Sequence, residues 1–486
     1  MDILRSPRCA RALAPALGAA ACLLAGCQGY ERAPIDLAQH RARIDARAGE
    51  SEPVLRFLDR LGAAGSDVPE AFDLSDGLTP AEGEVLALFY NADLRLARLD
   101  AGVALANAEN AGLWKDPEFG FDAAEVLSPA GVFEQGLMVI LTIPVSGRLE
   151  VEKDRASAAY EAELRKLVDA EWSIRARVRA AWSAWSVAEE RLGLLRGVIT
   201  HVERVASITD RLEAAGELTR VEARLIRVEL VSLRGQHIAA ERAARTARIE
   251  LLGLMGLPPD ARVDLRPDIA SPRIPVIEDE VQRLIEANTT LAAQRAAYHV
   301  AEETLRLEIR NQYPDITIGT GYGSEGGDDR LLLGFSVPIP ILNANRAEIA
   351  DARARRETAR AVVETTFERL ARELATARGE LDGARRQYDA YEGELKPMLE
   401  QQSMEVERLA DLGEVDTLLL LDTVTRAYDA GSTLLDLRLA EARAAIEVAR
   451  LLGPERAMVP APVRESNDER TRASDAEGDT TQEAAS

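Results

Sequence analysis

Few residues in this chain are spaced for chemistry. The four histidines, His40, His201, His237 and His299, stand far apart, and none has a partner at metal-ligand spacing. The run Gly319-Thr320-Gly321-Tyr322-Gly323 has the glycine density of a phosphate loop. Ser324, however, stands where the third glycine of GxGxxG belongs, and no helical pattern follows. Carboxylates are abundant, with 82 Asp plus Glu against 59 Lys plus Arg. On helical stretches they read as solvent faces and i,i+4 ion pairs, not as paired catalytic acids. Trp172, Trp182 and Trp185 read as packing between long helices rather than as a ligand platform. No nucleophile–base pair, metal site or cofactor site emerges, so the chain is expected not to be an enzyme. A formal charge of −23 argues against nucleic acid as a partner.

One residue does carry a chemical signal. Arg5, Arg8 and Arg11 precede a short apolar stretch from Ala12 to Leu23, and Leu24-Ala25-Gly26-Cys27 follows. The stretch is too short to span a bilayer and reads as a signal segment. Its end resembles a bacterial lipobox, in which cleavage falls just before the Cys and the thiol is diacylated. Residues 1–26 are therefore expected to be a lipoprotein signal peptide and Cys27 the lipidated residue. An ordinary secretory signal cut at a small residue is the alternative. Gln28, in place of the Asp of inner-membrane retention, implies sorting to the outer membrane. Cys9 and Cys22 lie in the signal segment, which leaves Cys27 as the single mature Cys.

The elements around these residues come twice. Asn91 recurs as Asn288, Leu94 as Leu291, Pro117 as Pro314, Gly216 as Gly413, Glu217 as Glu414 and Gly256 as Gly453, all at an offset of 197. Pro144 and Pro340 differ from that offset by one residue. A unit of this length is too long for a solenoid repeat. It predicts one large supersecondary unit, duplicated: 78–256, a Pro-rich connector at 257–275, and 276–454. Residues 27–77 read as a lipid-anchored, partly helical arm, and 455–486 as an acidic disordered tail.

Thr79-Pro80-Ala81-Glu82 has the capping-box signature. Helical periodicity follows to about Leu113, with Leu86, Leu88, Leu94, Leu96, Leu99 and Val103 in the apolar stripe. Residues 117–144 and 314–340 then read as β-hairpins. Phe119 and Phe121 alternate with Gly120 and Asp122. Leu331, Leu333, Phe335 and Val337 alternate with Leu332, Gly334 and Ser336. Strands of about 8–11 residues with one apolar face fit a membrane barrel; a soluble hairpin packed on helices is the alternative. Helices follow at 147–255 and 344–452. The stretch 149–213 has no Pro and would be about 100 Å long at about 1.5 Å per residue, a coiled-coil length. It turns at Ala215-Gly216-Glu217-Leu218-Thr219, with Glu222 completing a second capping box. The other copy turns at Gly413-Glu414-Val415-Asp416 after a kink expected at Pro397.

Certain runs carry a family resemblance. They are 85–113 with Asn91, Asp93 and Leu94; Asp116-Pro117; Tyr313-Pro314-Asp315; the run 334–346; the turns at Gly216 and Gly413; and Leu452-Gly453. Together, in order and duplicated, they resemble the TolC-type outer-membrane efflux protein family over about 78–454. The resemblance implies a mainly α fold with a small membrane β part. In it, a homotrimer's 12-stranded β-barrel continues into a periplasmic α-helical barrel. It further implies an outer-membrane lipoprotein that projects into the periplasm. Its partners would be a periplasmic adaptor protein and an inner-membrane pump of the resistance-nodulation-division type, in a tripartite exporter. The turns 215–219 and 413–416 would be the adaptor-facing tips. Well-known members carry two Asp three residues apart beyond the second turn. Here Asp422 occupies the later position, a pore-constriction candidate, and Leu419 the earlier. The rival reading is a lipid-anchored periplasmic coiled-coil scaffold without a pore. The run 334–346 and the loop 325–330 look closer to the heavy-metal branch than to the drug branch.

Overall fold

The computed structural model describes residues 30, 32–47, 52–63, 72, 77–126, 132–269, 271–272, 274, 276–325, 328–411 and 417–455. Cys27, the tip residues Gly413, Glu414, Val415 and Asp416, and the tail beyond 455 lie outside the described residues. The chain divides into two units, 1–46 and 47–486. Helix α1, Leu37–Asp45, belongs to the first; the Asp36 side chain caps it by accepting from the N–H groups of Ala38 and Gln39. The second unit holds every other element.

Its first core gathers three short helices, α2 (Glu52–Ala63), α3 (Pro80–Tyr90) and α4 (Ala92–Glu109). The sequence predicts one helix from 80 to about 113; the structure breaks it at Asn91. The Asn91 side-chain oxygen accepts from the N–H groups of Asp93 and Leu94, which starts α4 where α3 ends. An Asn in this role competes with the helical ladder it interrupts. The same break recurs between α7 (Glu280–Ala287) and α8 (Thr289–Asn311), where Asn288 accepts from Leu291 N–H. In the first core Val54, Phe57 and Leu61 of α2 pack with Leu86, Leu88, Leu94, Trp182, Leu251, Leu252 and Met255. The apolar face of α2 thus ties part of the expected arm to the first copy. Gly83 makes room for Trp182, whose ring a Cβ there would meet at 2.6 Å.

In chain order, between the short and the long helices of each copy, come the strands of a single antiparallel sheet in the order β1-β2-β3-β4. Its strands are β1 (Glu118–Val126), β2 (Val132–Ile143), β3 (Ile316–Glu325) and β4 (Asp328–Ser336). The two hairpins join through β2 and β3, with Leu137 opposite Tyr322 and Leu141 opposite Ile318.

The long elements are α5 (Arg148–Ala215), α6 (Arg220–Leu254), α9 (Arg346–Ala390), a π-helical turn (Tyr391–Leu395), α10 (Lys396–Asp411) and α11 (Thr417–Leu452). At about 1.5 Å per residue, the 68 residues of α5 run about 100 Å. Val168, Ile174, Val178, Trp182, Trp185, Leu192 and Leu195 of α5 are buried. Trp182 and Trp185 meet edge to face with centroids 6.1 Å apart. The connector returns along the first copy: Leu78 N–H donates to Asp264 O at 2.8 Å, and Arg266 N–H to Leu78 O at 2.9 Å. Trp182 Nε1 donates to Arg266 O at 2.9 Å.

Two expectations need correction. Leu96, Leu99 and Val103, assigned to the core stripe of the first helix, are exposed; Leu94, Arg98 and Ala101 are buried instead. Nor are all helical charges solvent faces. Arg98 donates through Nη2 to Glu171 at 2.7 Å with both side chains almost fully buried. The buried Glu84 receives Arg175 at 3.5 Å and also Arg179. Such pairs are tolerated inside because each charge meets its opposite. The seven-residue spacing of Leu94, Arg98 and Ala101 is the signal that places Arg98 on the core face.

Candidate functional site

The sheet sorts its side chains cleanly. In register, Phe119 and Phe121 of β1 lie beside Val139 and Leu137 of β2. These continue to Thr320 and Tyr322 of β3, then to Leu333 and Leu331 of β4. Leu141, Ile318 and Phe335 complete that face. The large side chains on it stand in the open: Phe119 is 69% exposed, Leu333 78% and Phe335 70%. A soluble fold would cover such a face; among the described residues no helix packs against it.

The opposite face is rich in glycine and acidic side chains, with Ile140, Met138 and Leu332 among them. Its rows are Glu118–Ile140–Gly319–Gly334, Gly120–Met138–Gly321–Leu332 and Asp122–Gly136–Gly323–Arg330. At the far end Glu134, Glu325 and Asp328 share one row, and Glu325 pairs with Arg330. Gly321 is required by space, since a Cβ would meet Leu137 O at 2.4 Å. The glycine-rich run that superficially resembles a phosphate loop is therefore a strand face.

Below the sheet, Arg148 at the start of α5 grips Asp315 before β3, with Nη2 to Oδ2 at 3.0 Å. Further down, each copy closes on itself in the same way. Asn91 Nδ2 donates to Leu254 O, and Asn288 Nδ2 to Leu451 O, both at 2.9 Å. Gly256 and Gly453 end the return helices at φ +72° and +75°, a left-handed turn that glycine adopts readily. Each backbone passes so close to Tyr90 or Ala287 that a Cβ would meet its carbonyl oxygen at 2.5 or 2.1 Å. The sequence pairs these residues across the repeat but leaves their bonding role unread, because the partners are carbonyls about 160 residues away.

At the first tip, Gly216 stands at φ +78° after Ala215. Glu217 N–H donates back to Leu212 O at 2.9 Å. Thr219 and Glu222 form a reciprocal capping box at the start of α6. Arg227 of α6 reaches back to Asp210 and Glu213 of α5, each at 2.7 Å. The Asp210 hydrogen bond and charge, with Glu213 behind, hold the Arg227 guanidinium above its ordinary pKa. Arg234 adds a bond to Glu203 at 2.7 Å. Leu218 ends the turn, and its N–H also points to Leu212 O. Of the second tip, Asp422 is described: it is exposed and accepts from Arg426 one turn along at 2.8 Å. Leu419 beside it is exposed as well. Among the described residues there is no group of three or more His, Cys, Asp or Glu side chains placed to hold a metal. No described helix is long and apolar enough to cross a membrane, which says nothing of the sheet.

A sheet with one open apolar face stands on long antiparallel helical hairpins. Residues 281–454 match the family model described as outer membrane efflux protein. The cobalt-zinc-cadmium resistance protein CzcC of Cupriavidus metallidurans is 23% identical over 321 residues, 64% of this chain and 75% of that protein. The fold is similar to the Campylobacter jejuni outer membrane channel CmeC, with TM-score 0.66 and 14% identity over 91% of this chain and 97% of that one. It is also similar to the open state of the Neisseria gonorrhoeae outer membrane channel MtrE, with TM-score 0.65 and 17% identity over 80% and 96% of the two chains. Residues 281–454 thus match the outer membrane efflux protein family, and the fold over most of the chain is similar to that of outer membrane channels.

Proposed function

We infer that the chain is the outer-membrane channel of a tripartite efflux system, a passive conduit for solutes handed over by an inner-membrane pump and a periplasmic adaptor. The observation that carries this is the sheet: one face apolar and uncovered, the other glycine-rich and polar. In the outer membrane the first face meets lipid and the second a watery lumen. Strands β1 and β4 each keep one free edge in the four-strand order. A bilayer does not tolerate open edges, so β4 of one chain pairs with β1 of the next. Three chains close an even-numbered barrel of twelve strands, and the paired long helices of the duplicated unit continue it as a tunnel through the periplasm.

Lipidation at Cys27 fits the reach of the arm. Helix α2 sits in the core with Trp182, 34 residues along α5 from Arg148, about 50 Å below the sheet at about 1.5 Å per residue. From Cys27 to Glu52 are 25 residues. Even with the nine of α1 helical, the other 16 residues at full stretch would bring the reach to about 65 Å.

At the periplasmic end, Ala215, Gly216, Glu217, Leu218 and Thr219 of one hairpin and Gly413, Glu414, Val415 and Asp416 of the other are the proposed adaptor-facing tips. Asp422 is the proposed constriction residue. Its pairing with Arg426 would make a trimer's ring one of ion pairs rather than bare acids. The cargo reading follows the name of CzcC: heavy-metal cations, selected by the pump. Two measurements test this function. Native mass spectrometry of the detergent-extracted protein should give a trimer, and a monomer would contradict it. A deletion strain should become sensitive to cobalt, zinc and cadmium. Sensitivity to drugs alone would reassign the cargo, and no sensitivity to either would count against efflux.

A further inference from the structure

The two copies meet inside the chain along α5, which packs against α8 and α11 of the second copy. Polar ties mark that seam. Thr290 Oγ1 donates to Asp169 at 2.9 Å, and Thr289 Oγ1 donates to the same oxygen at 2.6 Å. Arg438 faces Glu190 at 3.9 Å, and Arg191 meets Asp436 at 2.5 Å. Apolar contact accompanies them, with Leu435 of α11 clustered with Val187 of α5.

The counterpart of α5 is α9, and from Pro144 and Pro340 onward the two correspond at an offset of 196. Core packing agrees: Leu370, Leu374 and Leu381 stand in the second core where Ile174, Val178 and Trp185 stand in the first. Trp182 fills the space over Gly83, and their counterparts Arg378 and Glu280 form an ion pair. Helices α4 and α6 correspond to α8 and α11 at 197, the offset of Asn91 to Asn288 and of Gly256 to Gly453. Carrying the seam across by these offsets sets Arg386 opposite Glu241 and Thr365 opposite Asp93. Both pairs are complementary, and each reverses its template. The acid Glu190 with Arg438 becomes Arg386 with the acid Glu241. The acceptor Asp169 with the donor Thr290 becomes the donor Thr365 with the acceptor Asp93. The tie from Arg191 to Asp436 is not kept, since Gln387 and Ala239 stand in their places. Arg386, Glu241, Thr365 and Asp93 are all exposed. The contact of Val187 with Leu435 becomes one of Gly383 with Ile238. Gly383 has open space where a Cβ would be, and Ile238 is 67% exposed where Leu435 is 9%.

We propose that α9 of one chain docks on α4 and α6 of the next through Arg386–Glu241 and Thr365–Asp93, and that the reversed polarity keeps unlike copies together. Joining two first copies would set Glu190 against Glu241 and Asp169 against Asp93. Joining two second copies would set Arg386 against Arg438. Like charges at a wrong seam oppose it. Copies therefore alternate around a head-to-tail ring, which closes on itself. The proposal rests on the trimeric channel reading and names the contacts by which one chain recognises the next.

Cross-linking of the detergent-extracted full-length protein tests the seam. With Arg386→Cys and Glu241→Cys in one chain, a short bis-maleimide should give covalent dimers and trimers on denaturing gels, and either cysteine alone should give none. Glu190→Cys with Glu241→Cys, the pairing of two first copies, should give no covalent oligomer. Absence of covalent trimer from the first pair, or an equal yield from the second, would overturn the proposal. Charge is tested apart from proximity. In native mass spectrometry at one protein concentration, Arg386→Glu should leave about fivefold less trimer than Arg386→Gln, the scale of an exposed ion pair; equal fractions would overturn the charge rule. A trimeric original chain whose variants lack these cross-links refutes the seam and leaves the channel reading standing, whereas a monomeric original chain refutes both.

Discussion

Asn288→Ala should weaken the second copy out of proportion to its size. The side chain is 2% exposed and works at both ends. Its Oδ1 accepts from Leu291 N–H at 2.8 Å, and its Nδ2 donates to Leu451 O at 2.9 Å. Truncation removes a helix cap, which costs about 0.5–2 kcal/mol. It also strands a buried carbonyl, which costs about 1–3 kcal/mol, so about 2–4 kcal/mol is expected in total. Asn91→Ala should cost at least about as much, because Asn91 makes the matching bonds and accepts one more, from Asp93 N–H. Asn288→Ser keeps a cap but cannot reach Leu451, so it should recover about 1 kcal/mol of the loss. The assay is thermal unfolding of the full-length protein at one scan rate, followed by the fluorescence of the buried Trp182. For a chain larger than the usual calibration set, about 1–2 °C per kcal/mol gives a fall of about 3–6 °C for either Ala variant. A shift below about 1 °C at either site, or a Ser variant no better than Ala, would refute the reasoning.

Other substitutions probe other parts of the account. Gly453→Ala combines a left-handed φ with a collision against Ala287 O; it should cost more than about 2 kcal/mol and reduce the amount of assembled protein on semi-native gels. Leu333→Arg puts a charge on the proposed lipid face, at about 2–4 kcal/mol if near mid-membrane. Its neighbour Leu332→Arg points to the other face and should leave outer-membrane abundance near normal in fractionated cells. Arg98→Ala leaves Glu171 charged and buried, at about 3–5 kcal/mol, whereas Arg98→Met with Glu171→Leu should recover most of that loss in the same melt.

Local chemistry was the most legible part of the sequence. The Thr79–Glu82 and Thr219–Glu222 boxes need only neighbours in the chain, and both form. Pro397 signalled an irregularity, and the structure resolves it as a π turn rather than a simple kink. Strand alternation was readable for the same reason, since Phe119 and Leu333 fall on one face by period alone. Long-range roles were not. Asn91 reads as one more polar residue in a helical pattern until the Leu254 carbonyl lies beside it. Arg98 and Glu171 look like surface charges because periodicity reports which residues share a face, not which face a partner covers. Leu96, Leu99 and Val103 failed in the opposite sense. They are apolar at helical spacing, yet they stand exposed among the described residues. In the proposed trimer such a stripe would be covered by neighbouring copies.

The central claim is that this chain makes a pore. Planar-bilayer recording of the purified full-length protein tests it most directly. The account predicts discrete, uniform current steps from a trimeric preparation; a monomeric preparation that adds no current at any protein concentration would contradict it.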